Sequence, residues 1–332
     1  MEYMKTIVVD MMGSDLGTKA TVPGLLEFLK KHNDVQVIAV GRKEELKELE
    51  GKCEIIDAPD VVPMDVSAMN VMRMRSSSLM VAIQTMKDRG LDAVVSAGST
   101  GGFLTAATIK LKLIEGVQRA ALVSPFPTKI KGKKVTILDI GANNENNAEQ
   151  LVQFAILGSI YAQKVFEIAE PKIYLLSNGV EEEKGAPEVK EAHQLLKQRN
   201  IKGFMGNIEG REALDGRADV IVTGGFAGNI FLKSVEGIAS MMSGMIKKAF
   251  KRNVFSGLGY LLSKSGFKEM KETMDYKSVG GAMLLGVNGV VVKGHGSSDA
   301  YSFSCTLEVA YKMVSADIVN KMKEGLKAYE KN

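Results

Sequence analysis

Tryptophan is absent from the 332 residues, and aromatics make up only 6% of them. That leaves little to stack on bases. The 43 Lys and Arg against 39 Asp and Glu give a net charge of +4, too small at this length for a nucleic-acid footprint, so nucleic acid is set aside as a partner. Cysteine occurs twice, at Cys53 and Cys305, with no C-x-x-C pair. Such sparing use fits a reducing cytoplasm and argues against a disulfide framework. The three histidines, His32, His193 and His295, lack metal-ligand spacing, so no metal is expected. No run approaches the roughly 20 apolar residues of a membrane-spanning helix. The opening MEYMKTIVVDMMGSD enters a strand pattern without the basic and apolar regions of a signal peptide. The expectation is a cytoplasmic protein whose membrane contact, if it has one, is peripheral.

Missing nucleotide motifs narrow the function further. There is no G-x-x-x-x-G-K-S/T, which disfavours a P-loop enzyme. The first glycine turn reads Gly13-Ser-Asp-Leu-Gly17, not the G-x-G-x-x-G of dinucleotide binding. No G-x-S-x-G elbow occurs, against an α/β-hydrolase. No cofactor is expected.

What is present is a rhythm of short β-branched runs, glycine turns and amphipathic stretches. Strands are predicted at Thr6–Asp10, Val35–Val40, Asp92–Ser96, Val135–Ile140, Lys172–Leu176, Asp219–Thr223 and Gly289–Lys293, with a helix over Thr18–His32. Strands that are hydrophobic throughout, alternating with helices, imply a mostly parallel sheet covered on both faces. The fold class is therefore α/β, a three-layer α/β/α arrangement, with residues 1–332 forming a single two-lobed unit. Ligands in such sheets sit at the carboxyl ends of the strands.

Residues 241–275 break the rhythm. The segment is rich in Met and Lys and contains Val-Phe-Ser-Gly-Leu-Gly-Tyr-Leu-Leu at 254–262. Lys247, Lys248, Lys251 and Arg252 precede that patch, and Lys264 and Lys268 follow it. A projecting helical element fits this composition. A helix pair at a dimer interface, with Met as adaptable packing, is one reading. A helix lying on an anionic bilayer is the other, and the two are compatible if a dimer projects the segment outward.

Five glycine turns carry Ser, Thr, Asn or Asp: Met12–Asp15, Ala97–Gly102, Asp139–Asn143, Thr223–Asn229 and Gly294–Asp299. Glycine lets backbone N–H groups close on an anion, and a following helix start adds positive potential. Together they point to a phosphate-bearing ligand.

The motifs VVDMMGSD, Arg73-x-Arg75-Ser-Ser-Ser78, VVSAGSTGG, ILDIGAN, LLSNGVEEEKGAP, GNIEGREALDGRADVIVTGGFAGNIFLKSVEG and GGAMLLGVNGVVVKGHGSSD run in order from Lys5 to about Lys321. In that order and spacing they resemble the bacterial acyl-[acyl-carrier-protein]:phosphate acyltransferases, the PlsX family of phospholipid synthesis. The resemblance implies a fold like the isocitrate and isopropylmalate dehydrogenases and the phosphotransacetylases. It implies a homodimer, with acyl-carrier protein and inorganic phosphate as partners and acyl phosphate as product. The chain departs from the family pattern at Ser14, at Ser99 where Asn is usual, at Gly102, at Gly224 where Asp is usual, at Ala227 and at Gly294.

Phosphate attack on a thioester needs no covalent enzyme intermediate. It needs phosphate held near the carbonyl and donors for the oxyanion. From position in the family motifs, Lys184, Arg211 and His295 are expected to be catalytic. Gly98, Ser99, Thr100 and Gly101, with Gly225, Gly228 and Asn229, are expected to cradle the anion. Asp10, Asp15 and Asn143 are expected to support them, with Arg73 and Arg75 standing behind as further cations. Asp139 is expected to cap the turn that follows it, Glu181 to Glu183 to be a solvated run, and His32 and His193 to face solvent. Two other readings stay open: a short-chain acyl-coenzyme A phosphotransacetylase, and a membrane-associated scaffold weakened by the loss of Asn at 99 and Asp at 224.

Overall fold

A computed structural model describes residues 4–267 and 280–330. Lys268 and the end of the 241–275 segment lie outside the described residues. Among the described residues, eleven strands form one sheet: β1 Lys5–Asp10, β2 Val35–Gly41, β3 Glu54–Asp57, β4 Ala93–Ser96, β5 Ala121–Pro127, β6 Lys134–Leu138, β7 Ile173–Ser177, β8 Phe204–Glu209, β9 Val220–Val222, β10 Ala282–Leu285 and β11 Val290–Lys293. Their order is β3-β2-β1-β4-β11-β10-β5-β6-β9-β7-β8. Strands β3, β2, β1, β4 and β11 pair in parallel, as do β6, β9, β7 and β8. The join is antiparallel, through β11–β10, β10–β5 and β5–β6. The two parallel halves therefore run in opposite directions, and β10 and β5 form the seam between two lobes.

Helices α1 Thr18–Lys31, α5 Ala148–Val165, α6 Pro187–Gln198, α9 Ala300–Ser315 and α10 Ile318–Glu330 cover one face of the sheet. Helices α2 Ala68–Val71, α3 Ser78–Arg89, α4 Thr100–Leu111 and the start of α7 Gly225–Phe250 cover the other. Burial on both sides explains why β1 reads as an unbroken apolar run. Ile7 and Val9 pack into one core and Val8 into the other, because successive strand side chains alternate faces. Helix α5 starts from a capping box, with Asn147 Oδ1 accepting the Gln150 N–H and the Gln150 side chain accepting the Asn147 N–H, which satisfies two orphan donors.

Four strands escaped the sequence reading, each for a local reason. Strand β5 carries Pro125 and Pro127, residues that argue against a central strand. Strand β3 is a four-residue edge with two acidic ends, β10 is four residues long, and β8 carries Gly206 and Asn207. Two histidines also depart from expectation. His193 is buried, with Nδ1 3.0 Å from Asn207 Oδ1 and its ring 5.1 Å from that of Phe204. His32 packs between Phe28 and Tyr311 with Nε2 2.9 Å from Glu308. Charged neighbours in sequence hid which helix face each ring occupies.

Phe231, Leu232 and Val235 still pack against the core, but from Ile238 on α7 leaves the body of the molecule. Gly225 and Gly228 are buried on it, whereas Ile238, Met241, Met242 and Met245 are exposed. It leads to α8 Val254–Leu262, on which Phe255 and Leu262 are exposed. The rings of Phe250, Tyr260 and Phe267 form a small cluster, with Phe250 and Phe267 centroids 4.6 Å apart. Among the described residues, no helix is long and apolar enough to cross a membrane.

Candidate active site

The seam between the lobes opens into a cavity of about 560 Å³. Leu122, Ser124 and Phe126 form its floor, three alternate positions on one face of β5. Asn229, Leu232, Lys233 and Glu236 form its roof, the i, i+3, i+4, i+7 stripe of α7. One end is the carboxyl end of β11, from Lys293 to Ser298, with Asp15, Thr100 and Gly101. The other is the turn after β6, Ile140 and Gly141. The cavity is thus polar where the first lobe closes it and largely apolar along Leu122, Phe126, Ile140 and Leu232.

The turns that meet here are held by short-range chemistry. Asp10 is buried beneath them; its carboxylate accepts from Ser78 Oγ at 2.7 Å, Ser96 Oγ at 2.6 Å and the Met12 N–H at 3.1 Å. Burial pushes Asp10 above the usual carboxylate range, opposed by those hydrogen bonds and by the Lys293 charge. Gly13 sits so close to the next turn that a Cβ there would lie 2.7 Å from the Gly98 nitrogen. The Asp15 N–H donates to the Gly296 carbonyl at 2.8 Å, tying the first turn to the last.

Helix α4 begins at this junction. Ser99 is its N-cap, its Oγ accepting the Gly102 N–H at 3.4 Å. The first N–H groups of any helix lack intrahelical acceptors, and Thr100 and Gly101 line the cavity. His295 lines the same cavity. Its Nδ1 lies 3.2 Å from the Ser297 backbone N–H, which can only donate. A neutral ring therefore carries its proton on Nε2. Burial pushes the imidazole below its usual range, helped by the Lys233 and Lys293 charges and opposed by Glu236 and Asp15, so the neutral form dominates near neutral pH.

The other expected residues divide. Asn229 lines this cavity, its side chain against Gly141. Asn143 is occupied internally, donating to the Ala120 carbonyl at 2.8 Å and to Asp139 at 2.7 Å. Asp139 is buried and accepts from the Leu122, Gly141, Ala142 and Asn143 N–H groups; it caps that turn. Gly225 and Gly228 are packing contacts: a Cβ on Gly228 would lie 1.9 Å from the Asp139 carbonyl oxygen. Their N–H groups already donate, to Asn146 Oδ1 and to the Gly224 carbonyl. Arg73 and Arg75 are exposed on the turn after α2 and line neither lobe's cavity.

Lys184 and Arg211 do not line the His295 cavity. Their neighbours Gly185 and Gly210 line a separate cavity of about 870 Å³ in the second lobe, with Asn146, Ser177 and Thr223. Arg211 is exposed and paired with Glu209 at 2.6 Å, and Lys184 is exposed beside Gly179. Glu181 to Glu183 are exposed. Conversely, Lys233, Glu236 and Lys293 reach the His295 cavity, although the motifs that contain them gave them no role; the i, i+4, i+7 spacing of Asn229, Lys233 and Glu236 was the signal available for two of them.

Both notable departures fall at helix starts. Ser99 replaces Asn with another good cap. Gly224, the N-cap of α7, contributes no side-chain oxygen, and Asn146 Oδ1 takes the Gly225 N–H at 3.0 Å instead.

Comparison with known proteins agrees with this architecture. The chain is 41% identical over 330 residues to a phosphate acyltransferase of Exiguobacterium sibiricum, covering 98% of this chain and 99% of that one. It is 40% identical to one of Thermosipho africanus, covering 97% and 98%, and 37% identical to one of Mycoplasmopsis pulmonis, covering 97% and 100%. Among solved structures, a phosphotransacetylase from Streptococcus pyogenes superposes with a TM-score of 0.62 at 19% identity, covering 95% and 94%. A branched-chain phosphotransacylase from Enterococcus faecalis gives 0.59 at 16%, covering 94% and 99%. The sheet with its antiparallel seam is thus the phosphotransacetylase-like fold. The fatty acid synthesis protein family model matches residues 5–321, and with relatives this similar over nearly their whole length the chain belongs to that family.

Proposed function

We propose that the chain transfers a long-chain acyl group from acyl-carrier protein to inorganic phosphate, giving acyl phosphate for phospholipid synthesis. One observation carries the reading: the start of α4, His295 and Lys233 meet on a single cavity that also has an apolar stretch, Leu122, Phe126, Ile140 and Leu232. Phosphate binds at Thr100 and Gly101, where N–H groups and helix potential favour an anion. The acyl chain lies along Leu122, Phe126, Ile140 and Leu232. A phosphate oxygen forms a bond to the thioester carbon, the carbonyl becomes an oxyanion, and the C–S bond breaks with its electron pair leaving on sulfur. The neutral His295 ring donates from Nε2 to the developing oxyanion, a preorganised donor worth about 2.7–4 kcal/mol in comparable sites. Holding both reactants supplies the rest through effective molarity.

Lys184 and Arg211 stay out of the bond-making step on this reading, since neither lines that cavity. The scaffold alternative loses its motive, because Ser99 still caps α4 and Asn146 serves α7. The same reading takes the chain as a cytoplasmic homodimer whose α7–α8 arm mediates self-association and peripheral contact with anionic membrane through 254–262. The exposed Phe255 and Leu262 and the exposed Lys247, Lys248, Lys251 and Arg252 support it.

Acyl phosphate trapped with hydroxylamine, from long-chain acyl-carrier protein beside an acyl-coenzyme A control, tests the function. Preference for the carrier protein supports the reading. Turnover of the coenzyme A thioester alone identifies a phosphotransacetylase, and no turnover of either rejects acyl transfer.

A further inference from the structure

Lys293 ends β11 inside the wall of the His295 cavity and is 6% exposed. An ammonium carries three donors, and among the described residues one acceptor meets it here, the Gly294 carbonyl. Among the described residues no carboxylate pairs with it within 4.0 Å. Asp10 from β1 and Asp15 from the turn after it act on Lys293 from farther off, and Lys233 of α7 opposes them. Asp10 is already held by Ser78, Ser96 and Met12. A buried cation whose donors are mostly unanswered is costly unless an anion completes it. Thr100 and Gly101, in the first turn of α4, line the same cavity.

We propose that Lys293 is a catalytic residue of this site, its ammonium binding an oxygen of the phosphate that attacks the thioester. This rests on the acyltransferase reading for its chemistry, though not for its binding test. The phosphate lies between Lys293 and the start of α4 and presents its remaining oxygen to the acyl carbon. As the O–C bond forms and the C–S pair leaves on sulfur, Lys293 keeps its proton and neutralises the phosphoryl charge. Burial pushes its amine down to about 8, so the charge is lost as pH rises through that value.

The test uses inorganic phosphate and the full-length chain, with binding measured by calorimetry from about pH 7 to about pH 9. In the wild-type protein, phosphate Kd should rise about tenfold by about pH 9, where roughly one ammonium in ten remains. Lys293→Arg should bind phosphate with no such loss, because a guanidinium stays charged to beyond about pH 12; phosphate's own ionisation is common to both proteins and cancels. Lys293→Met should weaken phosphate at least about tenfold and raise the phosphate KM while leaving the acyl-carrier KM unchanged. A pH profile identical in wild type and Lys293→Arg overturns the assignment, as does unaltered phosphate affinity in a folded Lys293→Met protein. Phosphate binding that follows these expectations without acyl transfer rejects the acyltransferase reading but leaves the phosphate subsite.

Discussion

The Ser297 backbone N–H points at His295 Nδ1 from 3.2 Å, and this one contact fixes where the neutral imidazole holds its proton. A ring so oriented offers a donor, not a base, on its Nε2 side. Replacing His295 by Ala should lower kcat about a hundredfold or more. His295→Gln, whose amide NH₂ reaches about as far as Nε2, should recover part of it. Equal loss in both variants, by hydroxylamine-trapped turnover, would falsify the donor role.

Gly101 has open space around its Cβ position and lines the cavity at the start of α4. Gly101→Ala should raise stability by about 0.5–1 kcal/mol through helix propensity and raise the phosphate KM about threefold to tenfold by crowding the first-turn N–H groups. Urea denaturation beside phosphate titration reads both. A KM that stays put shifts the phosphate away from α4.

Gly228 is the opposite case. A methyl there would meet the Asp139 carbonyl oxygen at 1.9 Å, backbone against backbone, with no flexible side chain to give way. Gly228→Ala should cost at least about 3 kcal/mol, seen as a lower urea midpoint. Near-wild-type stability would mean that the α7 start and the Asp139 turn are not packed as described.

Lys184 and Arg211 adjoin the second-lobe cavity. Lys184→Ala and Arg211→Ala should leave the phosphate KM within about twofold of wild type, as expected of exposed charges. An increase of tenfold in either would bring that side chain to the phosphate after all.

The α8 residues Phe255 and Leu262 are exposed. Phe255→Glu with Leu262→Glu should abolish flotation with anionic vesicles while neutral vesicles bind little in either protein. Retained flotation would move the contact elsewhere, and a changed sedimentation coefficient would assign the patch to self-association.

The apolar runs of β1, β4, β9 and β11 and the glycine turns that follow them determined the class of fold and the regions where a ligand sits. Those are local properties: a strand buried on both faces must be hydrophobic throughout, and a chain that turns sharply against a neighbour needs glycine. Tertiary structure alone decided which turns share a cavity. The antiparallel seam of β10 and β5 opposes the two parallel halves, so the turn bearing His295 meets the start of α4, while the loops bearing Lys184 and Arg211 open on another cavity. Only that packing gave Gly228 its close contact with Asp139 and made Asn146 the acceptor that Gly224 lacks. Only it buried Lys293 beside the site, for the sequence shows a lysine at the end of a strand, and burial depends on what the rest of the chain brings around it.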